Sequence, residues 1–280
     1  MTVGLLPRRD TKEDEKHIMA SKLQAVGADF GEPAWYLSRW KYNITIRAET
    51  VQEILQGEEF SCVLDLACGD GSISIPLLKP TNRLTLLDLS SAMLANAKSR
   101  ISEDLAGNVR LINEDFLKAD LAPHSFDLII CLGLIAHVDS PKALVGRIAE
   151  LLSPEGVVIM ESTDSSHFLN WPAIFHHDVL KAVGRMKYTL TLTTRDQVIE
   201  MFAAKGLELS AIYRYSMPNF VPGLDRFVSQ KNLYNLIRVV YGSIRHNRNA
   251  WLGKECIYLF RPKRKATREK AEPEALSVGK

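Results

Sequence analysis

The stretch that decides the fold is Val63-Leu64-Asp65-Leu66-Ala67-Cys68-Gly69-Asp70-Gly71-Ser72. An apolar run ends in an acid, a turn of small residues follows, and a second apolar segment begins at Ile73. This order predicts a first β-strand, a glycine-rich loop and the start of a helix in a nucleotide-binding α/β fold. Glycine suits such a loop because it turns sharply and has no Cβ to keep a ligand away from the backbone.

Strands and helices alternate after this loop. Short apolar runs predict strands at residues 61–66, 83–89, 109–113, 126–132, 156–161, 207–213 and 255–261. Apolar residues at helical spacing predict helices at 72–78, 92–103, 140–152 and 193–204, and one at 44–55 before the first strand. Because helical segments separate the strands, we expect an α/β protein with a doubly wound, largely parallel sheet.

Composition and charge narrow the class of protein. The chain has 280 residues, of which 46% are hydrophobic and 24% charged, as expected for a globular protein with one large domain. A formal net charge of +2 gives no global basic field that would attract nucleic acid. The sequence has no apolar run of roughly 18 residues, the length of a membrane span. It also opens without the apolar core of a signal peptide, so we expect a cytoplasmic protein.

The cysteines agree with that expectation. Cys62, Cys68, Cys131 and Cys256 lie far apart in the sequence, mostly inside predicted strands. Pairs with metal-ligand spacing, such as Cys-x-x-Cys, are absent from the sequence. We therefore expect buried, reduced thiols and no metal site.

Three parts of the chain differ in character. Residues 1–56 are polar and then aromatic, and we interpret them as an N-terminal helical segment whose Tyr36, Trp40 and Tyr42 form a lid or, alternatively, a staple for the helix. Residues 57–261 hold the α/β domain. Two inserts in it, at 162–192 and 214–254, are expected to form helical caps over the substrate. Residues 262–280 are rich in Lys, Arg, Glu and Pro, which predicts a disordered basic tail.

The loop after the first strand resembles the first motif of class I S-adenosylmethionine-dependent methyltransferases, in particular of their small-molecule members. Its pattern is Asp-x-Ala-Cys-Gly-x-Gly where that family usually has Asp/Glu-x-Gly-x-Gly-x-Gly, so Ala67 replaces the first glycine. Further motifs of the family follow in the expected order up to residue 161. The resemblance implies a seven-stranded sheet of order 3-2-1-4-5-7-6 with strand seven antiparallel. It also implies S-adenosyl-L-methionine as the cofactor and S-adenosyl-L-homocysteine as the product.

The same resemblance assigns roles to the loop residues. Ala67, Cys68, Gly69 and Gly71 would approach the cofactor, and Asp65 would contact its amino-acid part directly or through water. The alternative for Asp65 is a carboxylate that caps the loop by accepting backbone N–H groups. The matching loop around this residue favours the cofactor contact.

Asp88 lies about 20 residues beyond the loop, at the end of the second predicted strand. A carboxylate at that place can accept hydrogen bonds from both hydroxyls of a ribose. The alternative is an N-cap of the next helix, but Ser90 supplies a better cap. Leu89 and Met93 would then flank the adenosine, although apolar helix residues of this kind also serve as simple core packing.

Two further segments complete the predicted cofactor site. In the methyltransferase pattern, an acid after strand three accepts a hydrogen bond from the adenine amino group, and the next residue packs on the adenine ring. Asp115 and Phe116 match these two positions. The alternative is a polar exit from a strand, followed by a core phenylalanine. Cys131 and Leu132, at the end of strand four, should touch the cofactor through their backbone. Arg47 could hold the cofactor carboxylate in bidentate fashion, or be a solvated helix arginine.

His137 is the candidate catalytic residue. It stands just past the end of the fourth predicted strand, where ligands of an open α/β sheet bind. A histidine there can take a proton from a substrate hydroxyl or amine. The alternative is a structural histidine that is hydrogen-bonded near the cofactor.

We expect the acceptor to be a small or medium-sized molecule. Amino-directed DNA methyltransferases carry Asp/Asn-Pro-Pro-Tyr/Phe after strand four to clamp a flipped base, whereas this chain has Cys131-Leu132-Gly133-Leu134. Aromatic residues in and beside the inserts would suit a ring-bearing or lipid-like acceptor, or would form the core of the inserts themselves. These residues are Phe168, Trp171, Phe175, Tyr188, Tyr213, Tyr215, Phe220, Phe227, Tyr234, Tyr241 and Trp251.

The sequence therefore predicts methyl transfer to an aromatic or apolar biosynthetic intermediate, with oxygen as the first choice of methylated atom and nitrogen as the second. Two alternatives stay open at this point. One is an RNA or other nucleic acid methyltransferase that uses the basic tail. The other is a catalytically silent protein that binds the cofactor and serves as a scaffold. The sequence leaves the oligomeric state undecided.

Overall fold

A computed structural model describes residues 33–171, 190–217 and 228–263. The predictions made for residues 1–32 and for the tail beyond residue 263 lie outside the described residues. So do those for residues 172–189 and 218–227, which include Phe175, Tyr188, Phe220 and Phe227.

A seven-stranded sheet of order β3-β2-β1-β4-β5-β7-β6 forms the centre of the molecule. Its strands are β1 (Cys62–Leu66), β2 (Arg83–Leu87), β3 (Val109–Ile112), β4 (Phe126–Cys131), β5 (Leu152–Thr163), β6 (Leu207–Tyr215) and β7 (Glu255–Pro262). The first five pair in parallel, and β7 runs antiparallel to both β5 and β6. The predicted strand order and the direction of the last strand are confirmed.

The helices are α1 (Pro33–Arg39), α2 (Lys41–Ile54), α3 (Ser91–Arg100), α4 (Pro141–Leu151), α5 (Arg195–Ala203) and α6 (Gln230–Tyr241). Ser90, Ser140, Thr194 and Ser229 cap the last four of these, because each hydroxyl accepts a hydrogen bond from a backbone N–H of the first turn. The cap predicted at Ser90 is confirmed.

Hydrophobic cores lie on both faces of the sheet. Successive residues of β5 point to opposite sides, so that Val157 and Ile159 pack into one cluster and Val158 and Met160 into the other. Continuous apolar runs such as β4 are therefore explained by burial on both faces.

The helix predicted at residues 72–78 is wrong. Only a single 3₁₀ turn, Ile75–Leu77, forms there. Pro76 has no N–H to donate to a helix, and Pro80 disfavours a helical conformation for the residue before it. The chain instead turns into β2 through Asn82, whose side chain bonds to the backbone of Lys79 and Leu77.

The second insert holds the predicted helical stripe in α6, which buries Leu233, Ile237 and Tyr241. This helix packs against α2 and β6. The Tyr234 hydroxyl and the Arg238 guanidinium both bond to Glu49 of α2. Tyr241 thus belongs to the core and Tyr234 to the contact with α2, which was the alternative interpretation, whereas Trp251 of the same insert is exposed.

Candidate functional site

A cavity of about 310 Å³ opens at the carboxyl ends of the parallel strands. Open α/β sheets bind their ligands at this edge. Ten of the predicted site residues line the cavity: Arg47, Ala67, Gly69, Asp88, Leu89, Met93, Asp115, Phe116, Leu132 and His137. Four do not: Asp65, Cys68, Gly71 and Cys131.

The glycine-rich loop turns through left-handed backbone conformations. The φ angles are 55° at Ala67, 55° at Gly69 and 71° at Gly71. A Cβ on Gly69 would meet nothing within 4 Å, whereas a Cβ on Gly71 would lie 2.5 Å from Cδ1 of Ile75. Gly69 therefore leaves room for a ligand at the cavity wall, and Gly71 leaves room for the protein's own side chain.

The Asp88 carboxylate holds the loop and the next helix together. Its two oxygens accept the N–H groups of Gly69 and Ser90, each at 2.8 Å. Burial raises the pKa of Asp88, and these two backbone hydrogen bonds partly offset that effect. Leu89 and Met93 line the cavity beside it. The carboxylate is thus fixed at the cavity wall, with lone pairs left for a ligand hydroxyl.

Asp65 lies under the loop and not in the cavity wall. It is buried, and Ser74 Oγ donates a hydrogen bond of 2.5 Å to its Oδ2 atom. Burial raises the pKa of Asp65 to about 7, and the hydrogen bond from Ser74 acts in the opposite direction. Cys68 and Cys131 are also buried, and neither side chain lines the cavity.

Asp115 offers an unused acceptor. Its Oδ1 atom accepts the N–H of Leu117 at 3.1 Å. Its Oδ2 atom is buried and has no hydrogen-bond partner in the described part of the chain, with the Lys118 ammonium 3.7 Å away. Phe116 follows as a buried ring in the cavity wall. A buried carboxylate oxygen without a hydrogen bond fits the amino group of a purine.

Arg47 has a protein partner in the cavity wall. Its Nε atom lies 2.9 Å from Oε1 of Glu161, and its Nη2 atom lies 2.5 Å from Oε2. The Tyr215 hydroxyl is 3.0 Å from the same Oε1 and 2.7 Å from Oδ1 of Asn43. The predicted contact with the cofactor carboxylate would have to use guanidinium N–H groups that do not bond to Glu161.

His137 ends a 3₁₀ turn, Leu134–His137, that follows β4 and lines the cavity. The turn begins at Gly133, which has a φ of 80°. Thr191 holds its far end, because the Thr191 N–H bonds to the Ala136 carbonyl at 2.8 Å. The sequence prediction placed His137 correctly at this edge of the sheet, and its catalytic role stays a prediction.

Several cavity residues were not predicted. Glu161 and Thr163 come from the end of β5, and Glu255 comes from the start of β7. A signal for Glu161 exists, since it is an acid that ends a buried apolar run. Glu255 could be found only with the antiparallel register, which places it opposite Thr163.

Within residues 33–171, 190–217 and 228–263, no group of three or more His, Cys, Asp or Glu could hold a metal ion. Among those same residues, no helix has both the length and the apolar character needed to cross a bilayer.

Comparison with known proteins agrees with the motif order. Residues 63–156 match the family described as a methyltransferase domain. This match and the sheet order both support the predicted resemblance to the class I S-adenosylmethionine-dependent methyltransferases.

Among curated proteins, the chain is 23% identical over 117 residues to an uncharacterised methyltransferase of Mycobacterium bovis, covering 42% of this chain and 58% of that protein. It is 29% identical over 121 residues to a ubiquinone biosynthesis O-methyltransferase of Actinobacillus pleuropneumoniae, covering 42% of this chain and 52% of that protein. The chain thus spans little more than half the length of these relatives.

Two solved structures share the fold. One is an S-adenosylmethionine-dependent methyltransferase, a possible histamine N-methyltransferase, from Thermotoga maritima, with a TM-score of 0.60 and 15% identity over 86% of this chain and 100% of that chain. The other is magnesium protoporphyrin IX methyltransferase from Synechocystis with bound S-adenosylhomocysteine, with a TM-score of 0.58 and 13% identity over 86% of this chain and 100% of that chain.

Proposed function

We propose that this protein transfers a methyl group from S-adenosyl-L-methionine to a small or medium-sized acceptor with an aromatic or apolar body. The observation that carries the proposal is the cavity, which brings Gly69, Asp88, Asp115 and Phe116 together at one edge of the sheet. Three separate strand ends supply these residues. The sequence analysis predicted from the family resemblance that they meet at one cofactor site.

The residues fit an adenosine group. Asp88, fixed by two backbone N–H groups, would accept the ribose hydroxyls. The buried Oδ2 atom of Asp115 would accept the adenine amino group, and Phe116 would pack against the ring. Gly69 lets the backbone approach the ligand, because it places no side chain there.

When bound, S-adenosylmethionine supplies a methyl group on a positively charged sulfur. The chain's own task is to hold the acceptor in line and to receive a proton from it. We assign the proton to His137, which lines the same cavity. Oxygen is the first choice of methylated atom, a choice supported by the relative named as an O-methyltransferase. Nitrogen is the second.

The acceptor is proposed to be a small molecule rather than nucleic acid, since the sequence after β4 lacks the motif that clamps a flipped base. We also propose a cytoplasmic location. All four cysteines are free and three of them are buried, as expected in a reducing compartment.

The first test is calorimetric titration of the protein with S-adenosylmethionine and S-adenosylhomocysteine. Wild type should bind both, and Asp88→Ala should lose at least tenfold in affinity because it removes acceptors for the ribose. Asp120→Ala is the matched control, since Asp120 is an exposed acid outside the cavity. A folded wild type that binds neither ligand would refute the cofactor assignment, and binding without turnover of any acceptor would favour the scaffold alternative.

A further inference from the structure

The two ends of the cavity are far apart across the sheet. The predicted nucleoside contacts follow β2 and β3, whereas Glu161, Thr163 and Glu255 stand at the ends of β5 and β7. Three strands separate β2 from β7 in the sheet order. β2 and β7 are therefore four inter-strand spacings apart, which at about 4.8 Å each is roughly 19 Å, so the β5–β7 end lies well beyond the predicted adenosine.

Acids outnumber basic residues in the lining of this cavity. Among the described residues, its carboxylates are Asp88, Glu114, Asp115, Asp139, Glu161 and Glu255, and its basic side chains are Arg47 and His137. Arg47 is already committed to Glu161 through two of its nitrogens. Within the described lining, no arginine therefore forms an ion pair with Glu255.

Glu255 is deeply buried, and its ion pair with Lys254 is a long one. Its side chain is 4% exposed, and its Oε2 atom accepts a hydrogen bond of 2.5 Å from the uncharged Thr163 hydroxyl. The nearest cation, the Lys254 ammonium, is 3.9 Å from Oε1, which is beyond hydrogen-bonding distance. Burial raises the pKa of Glu255. A buried carboxylate is stable only when donors surround it, and the cavity gives a ligand access to this one.

We propose that Glu255 receives a protonated amine of the acceptor at the β5–β7 end of the cavity. This inference rests on the proposed function and names the acceptor class for the same site. The ammonium would donate hydrogen bonds to the carboxylate, and the apolar body would lie along Met217 and Tyr36, which line the same cavity. Anionic acceptors are disfavoured because two carboxylates, Glu161 and Glu255, already stand there. An amine anchor is compatible with methylation at either oxygen or nitrogen.

Three probes of nearly equal shape test the charge requirement: phenethylamine, 2-phenylethanol and 3-phenylpropionate. Each is titrated by calorimetry into wild type saturated with S-adenosylhomocysteine. The amine should bind at least tenfold more tightly than the alcohol, and the carboxylate should not bind, because a charge-assisted hydrogen bond to a buried acid is worth about that much. Equal affinity for amine and alcohol, or no binding of any probe, would overturn the proposal.

The variant Glu255→Gln should reduce the preference for the amine over the alcohol by about tenfold while the affinity for S-adenosylhomocysteine stays unchanged. Glu155→Gln, which removes an exposed acid elsewhere on β5, is the matched control and should alter neither value. If only Glu255→Gln lost S-adenosylhomocysteine binding, the residue would belong to the cofactor end of the cavity. That result would overturn the amine proposal but not the proposed function. Failure of wild type to bind S-adenosylhomocysteine would instead refute the proposed function. The wild-type comparison of the probes stands even where the variant fails to fold.

Discussion

At the scale of single residues, the two glycines of the loop have different duties although both have positive φ angles. A methyl group on Gly69 would stand in open space beside the cavity, and one on Gly71 would collide with Ile75. Ala67 already shows that a small side chain can adopt this backbone region, with a φ of 55°. A left-handed conformation costs an alanine about 1 kcal/mol relative to glycine.

We therefore expect Gly69→Ala to lower the free energy of unfolding by only about 1 kcal/mol but to weaken S-adenosylhomocysteine binding at least tenfold. Gly71→Ala should cost about 2–4 kcal/mol, because the overlap with Ile75 adds to the backbone strain. Urea unfolding and calorimetry measure the two effects. Gly107→Ala is the control, since a Cβ there meets no atom within 4 Å and its φ is not positive. Equal losses of stability in the two loop variants would contradict this division of roles.

At the scale of elements, a buried ion pair stands in the cavity wall. Arg47 of α2 and Glu161 of β5 join the N-terminal helix to the end of a central strand, and Tyr215 of β6 adds its hydroxyl. The Arg47 and Glu161 side chains are 17% and 3% exposed. Removing one partner of such a pair leaves an uncompensated buried charge, whereas an apolar replacement of both can be nearly neutral.

Glu161→Ala should therefore lower the free energy of unfolding by about 3–5 kcal/mol, while the double variant Arg47→Met with Glu161→Leu should lose much less. Glu150→Ala is the matched control. Its partner Arg147 lies at 2.8 Å, but the Glu150 side chain is 51% exposed, so its loss should cost less than about 1 kcal/mol. Urea unfolding gives all three values. A cost of Glu161→Ala as small as that of the control would show that the pair does not hold α2 on the sheet.

Elements also show what the sequence can and cannot predict. The strands and the helix caps follow from local motifs, because each buried run and each cap at residues such as Ser90 is a local signal. The order of the strands in the sheet came from the resemblance to the methyltransferase family. The failed helix at 72–78 shows how two prolines override an apolar pattern. The partner of Arg47 was beyond prediction, since Glu161 lies 114 residues away and only tertiary packing joins them. Glu255 lies in the site because the antiparallel pairing of β7 with β5 places it opposite Thr163, and this register cannot be read from the sequence.

At the scale of the whole molecule, overall charge and local charge differ in sign. The chain carries a formal net charge of +2, yet six acids line its cavity against one arginine and one histidine among the described residues. Asp65 lies just under that cavity and is 3% exposed. Folding therefore transfers an acid from water into an apolar and already acidic region. The neutral form of such a group is favoured, which makes the stability of the molecule depend on pH.

The sign of this dependence follows from the pKa of Asp65, which folding raises from 3.8 to about 7. The folded protein binds this proton more tightly than the unfolded chain, so the stabilisation is complete below pH 3.8 and is lost as the pH rises through about 7. Relative to Asp65→Asn, whose amide does not titrate, wild type should lose up to about 4 kcal/mol of unfolding free energy between pH 4 and pH 8. Urea unfolding across this range measures the difference, and Asp120→Asn, at an exposed acid, should follow wild type. Parallel curves for wild type and Asp65→Asn would mean that folding does not raise the pKa of Asp65. A nearby positive charge would then have to stabilise the ionised carboxylate, and the prediction would be contradicted.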